Sequence, residues 1–278
     1  MLADRPRPSP LASADHLEIE GLALRKALFL HTQKTAGTSI VAMAREKYGS
    51  DDVISHGDWL AEPLHAYKDK AFISGHFGFA FAAQFLPERY SFTFLRDPID
   101  RIVSLYSFCR SRAPEEYPIY EIANKMSIDQ FVEFGSQFSE SDIPRFHCHS
   151  MIWNNQAWQL AHGWVYPKDA AKLGPTVMDY SEAQMLDLAK RNLERFDFVG
   201  FTDTFDADAV EISRSLGFGP SLQIPHENAS VGTKRSALPR KTIAAISAVT
   251  QLDQEIYSFA KKLFRRRGRR FWHFRYGT

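Results

Sequence analysis

Four short apolar runs constrain the fold of this chain more than any other feature, because each ends in a polar or glycine-bearing break. They are "ALFLH" (27–31), "KAFISGHF" (70–77), "YSFTFLRDP" (90–98) and "FDFVGFT" (196–202). Runs of this length read as buried strands. Three of them lead at once into helix-period segments: "TSIVAMAREKYG", ending near Gly49; "IDRIVSLYSFCR", after Pro98 stops the strand; and "FDADAVEISRSLGF", with Gly217 beyond its end. A largely helical stretch is expected over about 128–195, and one or two closing helices over "PRKTIAAISAVTQLDQEIYSFAKKLF". Strands alternating with helices predict an α/β fold with a central parallel sheet flanked by helices. In such sheets ligands sit at the carboxyl ends of the strands. Lys34, His76 and Arg96 all fall just past a strand end, so they are the first functional candidates.

The rest of the sequence removes several function classes. The 278 residues suit one large domain or two small ones, and 34 basic against 33 acidic residues give no global field for nucleic acid or an anionic membrane. Cys109 and Cys148 are the only cysteines, too few for a disulfide framework, and they fit a reducing, cytoplasmic setting. No run of about eighteen apolar residues predicts a membrane span. Residues 1–22, polar and proline-rich, read as a flexible lead-in without the apolar centre of a signal peptide. At the other end, "RRRGRR" opens a basic, aromatic tail over 265–278. Setting those five arginines aside leaves 29 basic residues against 33 acidic ones.

The chemistry concentrates in two segments. In "LFLHTQKTAGTSI" a strand runs into a small, hydroxyl-rich loop and then a helix, an arrangement that suits a bound anion at the helix N-terminus. Lys34 precedes Gly37, whereas the nucleoside triphosphatase loop requires Gly-Lys-Ser/Thr, a pairing found nowhere in the chain. Taken alone, the segment also fits an ordinary Thr or Ser helix cap beside a solvated lysine. The second segment, "FLRDPIDRIVSLY", sets Arg96 at a strand end and Ser104 in the following helix, a guanidinium fork and a hydroxyl suited to a second phosphate. Competing readings make Asp97 a magnesium anchor, or pair it with Arg96 at the surface.

Together, "HTQKTAGTS" and "FLRDPIDRIVSLY" resemble the two signature segments of the sulfotransferases that use 3′-phosphoadenosine 5′-phosphosulfate (PAPS). The similarity is closest to the carbohydrate branch containing the heparan sulfate and uronyl 2-O-sulfotransferases. "ISGHFGF", "CHSMIWNNQAWQLA", "FDFVGFTDTFDADAVEI" and "LDQEIYSFAKKLF" resemble further segments of that branch, in the same order. The resemblance implies a single P-loop-like domain over 23–264. It implies that Lys34, Thr35, Ala36, Gly37, Thr38 and Ser39 hold the 5′-phosphosulfate, and that Arg96 and Ser104 hold the 3′-phosphate. "SVGTKRSALP" resembles the late loop that closes over the nucleotide, which adds Thr233, Lys234 and Arg235 as phosphate contacts. PAPS would be the donor and no metal would be needed.

His76 matches the branch's proposed catalytic base, and imidazole suits that work because its ordinary pKa lies near neutrality. Ser74 stands where the animal 2-O enzymes carry a second histidine, which leaves His76 unassisted; His31 is the reserve base. His147, Cys148 and His149 adjoin one another, but without a second cluster at zinc-site spacing they do not specify a metal. The expected activity is sulfuryl transfer to a hydroxyl of a glycan, a glycolipid or a smaller molecule. His31, Thr32 and Gln33 replace the arginine-led opening of the animal 2-O loop, so a neutral or weakly charged acceptor is expected. Nucleic acid is not expected as a partner. The alternatives are an ATP-dependent phosphotransferase and a non-catalytic nucleotide-binding protein.

Overall fold

The computed structural model describes residues 24–61, 63–139, 141–163, 179–219 and 235–267. The lead-in, Thr233, Lys234 and the tail from residue 268 lie outside the described residues.

Five strands form one parallel sheet: β1 (Ala27–Leu30), β2 (Val53–Ile54), β3 (Phe72–Gly75), β4 (Tyr90–Leu95) and β5 (Phe198–Phe201), in the order β2-β3-β1-β4-β5. Every pairing is parallel, with β1 at the centre between β3 and β4. All four residues of β1 and all six of β4 are buried, as expected of strands covered on both faces. β2 was not foreseen, because two residues are too few to show a period.

Alternation along the strands divides the core. Leu28, Leu30, Ile73, Leu95 and Val199 pack on one face with α2 (Phe79–Ala82), α7 (Asn155–Ala161), α8 (Glu182–Leu193) and α11 (Gln251–Arg267). Ala27, Phe29, Phe72, Phe92 and Phe94 point the other way, onto α1 (Gly37–Tyr48) and α9 (Phe205–Leu216). A third apolar cluster joins α3 (Pro98–Arg110) to α4 (Pro118–Lys125), α5 (Ile128–Ser136), α6 (Ile143–Ile152) and α10 (Arg240–Val249). Local sequence sets several of these ends. Ser127 with Gln130 and Ser181 with Gln184 form reciprocal capping boxes at α5 and α8, and Gly217 ends α9 in the left-handed region.

Two fully buried charges sit where these layers meet. Arg101, on α3, donates from Nη2 to the Met151 carbonyl at 3.0 Å. Asp253, on α11, accepts from the Ala157 amide at 2.8 Å. Beside them Asn154 accepts from the Leu252 amide at 2.9 Å and donates its own amide to the Val249 carbonyl at 3.0 Å. These bonds tie the α6–α7 junction to the α10–α11 junction. Among the described residues, no helix is long and apolar enough to cross a membrane.

Candidate active site

A cavity of about 1130 Å³ opens at the carboxyl ends of the strands. Each strand delivers residues to its wall: His31 and Lys34 follow β1, His56 follows β2, His76 follows β3, Arg96 follows β4, and Thr202 and Asp203 follow β5. The chain leaves β1 toward β3 on one side and returns as β4 on the other, so the cavity lies where a parallel sheet reverses its winding.

The first loop is bent by two non-glycine residues with positive φ, Lys34 (67°) and Ala36 (66°). Such conformations are uncommon outside glycine and mark a loop held in a special shape. The expected side-chain cap is absent: Ala36 occupies the N-cap of α1 and makes no side-chain hydrogen bond. The Thr35 hydroxyl is buried and donates to the Thr32 carbonyl at 2.7 Å, bracing the loop from behind instead of facing the cavity. Lys34, Ala36, Gly37, Thr38 and Ser39 do line it. Successive amides in a loop that includes left-handed residues, at the positive end of a helix, make an anion cradle. Gly37 leaves room for the His31 ring, since a Cβ there would lie 1.8 Å from His31 Nε2.

Lys34 is less mobile than the sequence suggests. Its ammonium lies 3.9 Å from the Phe108 ring centroid, and the Arg112 guanidinium lies 4.6 Å from the same centroid. Burial, with Arg96 nearby, lowers the Lys34 pKa to about 8. Arg96 donates from Nη1 to the Lys34 carbonyl at 3.1 Å, linking the loop after β1 to the segment after β4. Ser104 faces the same cavity from α3. Asp97 is engaged as the cap of α3, accepting from the Ile99 and Asp100 amides at 3.0 and 3.2 Å, and Arg235 pairs with the same carboxylate oxygen at 3.2 Å. Asp97 thus pairs with Arg235, not with Arg96 as the surface reading had it.

Two glutamines that sequence reading left without a role fix the strand ends. Gln156 accepts from the Arg96 amide and donates to the Arg96 carbonyl, both at 3.0 Å. Gln159 donates to the carbonyls of His31 at 3.2 Å and Phe77 at 2.8 Å. Both side chains come from α7, which therefore holds the carboxyl ends of β1, β3 and β4 in register.

His76 has more company than expected. Ser74 is buried in β3, but His31 and His56 flank His76, with ring centroids 4.5 and 5.5 Å away. His76 donates from Nδ1 to the His31 carbonyl at 2.9 Å, which leaves the lone pair on Nε2. Burial is the main cause that lowers its pKa, to about 4; the bond to that carbonyl opposes it, and His56 and Lys34 lower it further. His31 is pushed well below the ordinary imidazole value, first by burial and then by His76, His56 and Lys34. The expectation of a base poised near neutrality is thereby corrected. His76 is a neutral imidazole at physiological pH, able to accept a proton but weakly basic until negative charge arrives beside it. His56 was missed because it follows the two-residue strand. His147, Cys148 and His149 lie on α6 and engage different neighbours, His147 beside Tyr117 and His149 with the Gly135 carbonyl.

A doubly covered parallel sheet thus brings the start of α1, Lys34, Arg96 and a neutral imidazole to one cavity at its carboxyl ends. The chain belongs to the sulfotransferase family, whose model matches residues 25–271. It is therefore a transferase of sulfuryl groups, in a family that acts on hydroxyl acceptors. A search of curated proteins found no match.

Proposed function

We propose that this protein moves the sulfuryl group of PAPS to a hydroxyl of a neutral or weakly charged carbohydrate, glycolipid or smaller alcohol, in the manner of the carbohydrate branch it resembles. One observation carries the reading: the uncapped start of α1 with Lys34, the Arg96–Ser104 pair and His76 all face a single cavity. The cradle takes the 5′-phosphosulfate, and Arg96 with Ser104 takes the 3′-phosphate, with Arg235 of the late loop close by on Asp97.

In the reaction, the acceptor oxygen forms a bond to sulfur as the bond from sulfur to the bridging oxygen breaks. The acceptor proton passes to His76 Nε2, and adenosine 3′,5′-bisphosphate leaves with the bridging electron pair. Lys34 and the cradle amides stabilise that developing charge, the kind of positioning and electrostatic work that dominates phosphoryl transfer. The negative donor beside His76 also favours its protonated form, raising its basicity when it is needed. The imidazoles of His31 and His56 near this base are uncharged at neutral pH, which suits a neutral acceptor better than a polyanion.

Calorimetry with adenosine 3′,5′-bisphosphate and 5′-AMP tests the donor. A charge-assisted contact to the 3′-phosphate is worth about 1.5–3 kcal/mol, so the bisphosphate should bind roughly ten- to a hundredfold more tightly, and Arg96→Ala should remove the difference. Equal affinities in the wild type would refute PAPS as the donor.

A further inference from the structure

The three imidazoles beside the cavity do more than flank one another. One nitrogen from each of His31, His56 and His76 lies within 4.8 Å of the other two. We propose that they form a binding site for a divalent zinc-class ion, with a fourth coordination position open to the cavity, and that occupancy of this site switches the enzyme off.

The hydrogen bonding of the cluster presents lone pairs inward. The His76 Nδ1–H is held by the His31 carbonyl, so Nε2 is the free ligand atom. His56 Nδ1 lies 3.1 Å from Ser55 Oγ, which also accepts from Arg45 Nη2 at 3.1 Å and lies 3.5 Å from Asp58 Oδ2. If Ser55 accepts from Arg45 and from His56 Nδ1–H and donates to Asp58, every group is satisfied and His56 Nε2 keeps its lone pair. His31 supplies the remaining position, and its buried Nδ1 has no hydrogen-bond partner among the described residues. A backbone carbonyl behind one ring and a hydroxyl–carboxylate pair behind another are the outer partners that metal-bound imidazoles require.

Tetrahedral zinc with bonds of about 2.0–2.1 Å places ligand nitrogens about 3.3 Å apart, so small ring rotations close the site. Burial keeps all three rings neutral, the form that binds metal. Three imidazoles without a thiolate suit zinc, copper or nickel better than magnesium or calcium. Lys34 nearby opposes a cation, which tempers affinity.

The site does not depend on the transfer reaction, but its effect on turnover rests on the reading of His76 as the base. An ion on His76 Nε2 occupies the lone pair that would take the acceptor proton.

The test begins with metal-stripped full-length protein titrated with zinc chloride by calorimetry and, separately, with cobalt(II) chloride by absorption spectroscopy. One zinc per chain is expected, with intense cobalt bands of four-coordinate geometry and no thiolate charge-transfer band. His56→Ala and His76→Ala should each weaken zinc by at least about ten- to a hundredfold, the loss typical of disturbing even an outer partner. Zinc binding that both variants leave unchanged, a weak octahedral cobalt spectrum, or a thiolate band pointing to Cys109 or Cys148 would overturn the site. If a variant fails to fold, the wild-type cobalt spectrum decides by the same criteria. Inhibition of sulfuryl transfer should track zinc occupancy; binding without inhibition would overturn the switch while leaving the site intact. Inactivity in metal-free buffer with every candidate acceptor would instead indict the proposed transfer reaction.

Discussion

At the scale of single residues, Lys34 and His76 carry opposite kinds of consequence. Lys34 titrates near pH 8 because burial and Arg96 disfavour its charge. A bound phosphate restores that charge, so the pKa rises on binding. Bisphosphate affinity should therefore fall as pH climbs through 8, and binding should take up about half a proton at pH 8, rising toward one near pH 9, read from calorimetric heats in buffers of different ionisation enthalpy. Lys34→Arg should abolish the proton uptake, since arginine stays charged throughout that range. His76→Ala should leave bisphosphate affinity nearly unchanged and lower turnover by about 10² to 10⁴, the usual worth of a general base, in assays run with a chelator. Near-normal turnover would move the base to His31. These residues were legible in the sequence because each follows an unmistakable strand. His56 was not, and neither was the low basicity of His76, which depends on a neighbourhood assembled from three separate strands.

Among the elements, α7 shows how a helix that supplies no proposed reacting group still governs the site. Gln156 holds both backbone groups of Arg96, and Gln159 holds the carbonyl behind His31. Gln156→Ala leaves that partly buried amide and carbonyl without their partner, at a cost of up to about 1–3 kcal/mol. A lowered melting temperature is expected, together with a bisphosphate affinity roughly tenfold weaker, because Arg96 loses its fixed aim. Unchanged affinity would mean that the Arg96 bond to Lys34 alone suffices to hold the guanidinium. The sequence placed "NNQAWQLA" in a helical region but could not reveal its purpose. Its partners lie on strands distant in the chain, and a glutamine on a helix has no periodic signature of what it touches. The same limit explains Asp97, whose cap role is local and visible as Asp-Pro, while its pairing with Arg235 is long-range.

For the whole molecule, the alternation of runs and helices was enough to give the parallel sheet, because buried strands must be apolar on both faces. The order of the strands was not legible; it is decided by which helices cover which face. Near-zero net charge belongs to this scale as well, with 34 basic and 33 acidic residues. With the neutral acceptor proposed above, the acceptor Michaelis constant should change little between about 50 and 200 mM salt, whereas a polyanion would lose affinity steeply as counterions are displaced. Strong salt sensitivity with a heparan-type chain would return the terminal arginines to the acceptor site.

The delivery of cavity residues by all five strands has a consequence for the life of the chain before it is finished. β1 pairs with β4, and β4 reaches across to residues 198–201 for its other neighbour. The cavity wall is not assembled until those distant pairings close, and α7, whose glutamines steady it, is itself held through its Ala157 amide by Asp253 of α11. Sheets built from such remote pairings form late and slowly, after loop-closure entropy has been overcome. A ribosome-bound fragment lacking the last helices should consequently be blind to nucleotide. Bound donor can select only the completed fold, which it then stabilises by mass action.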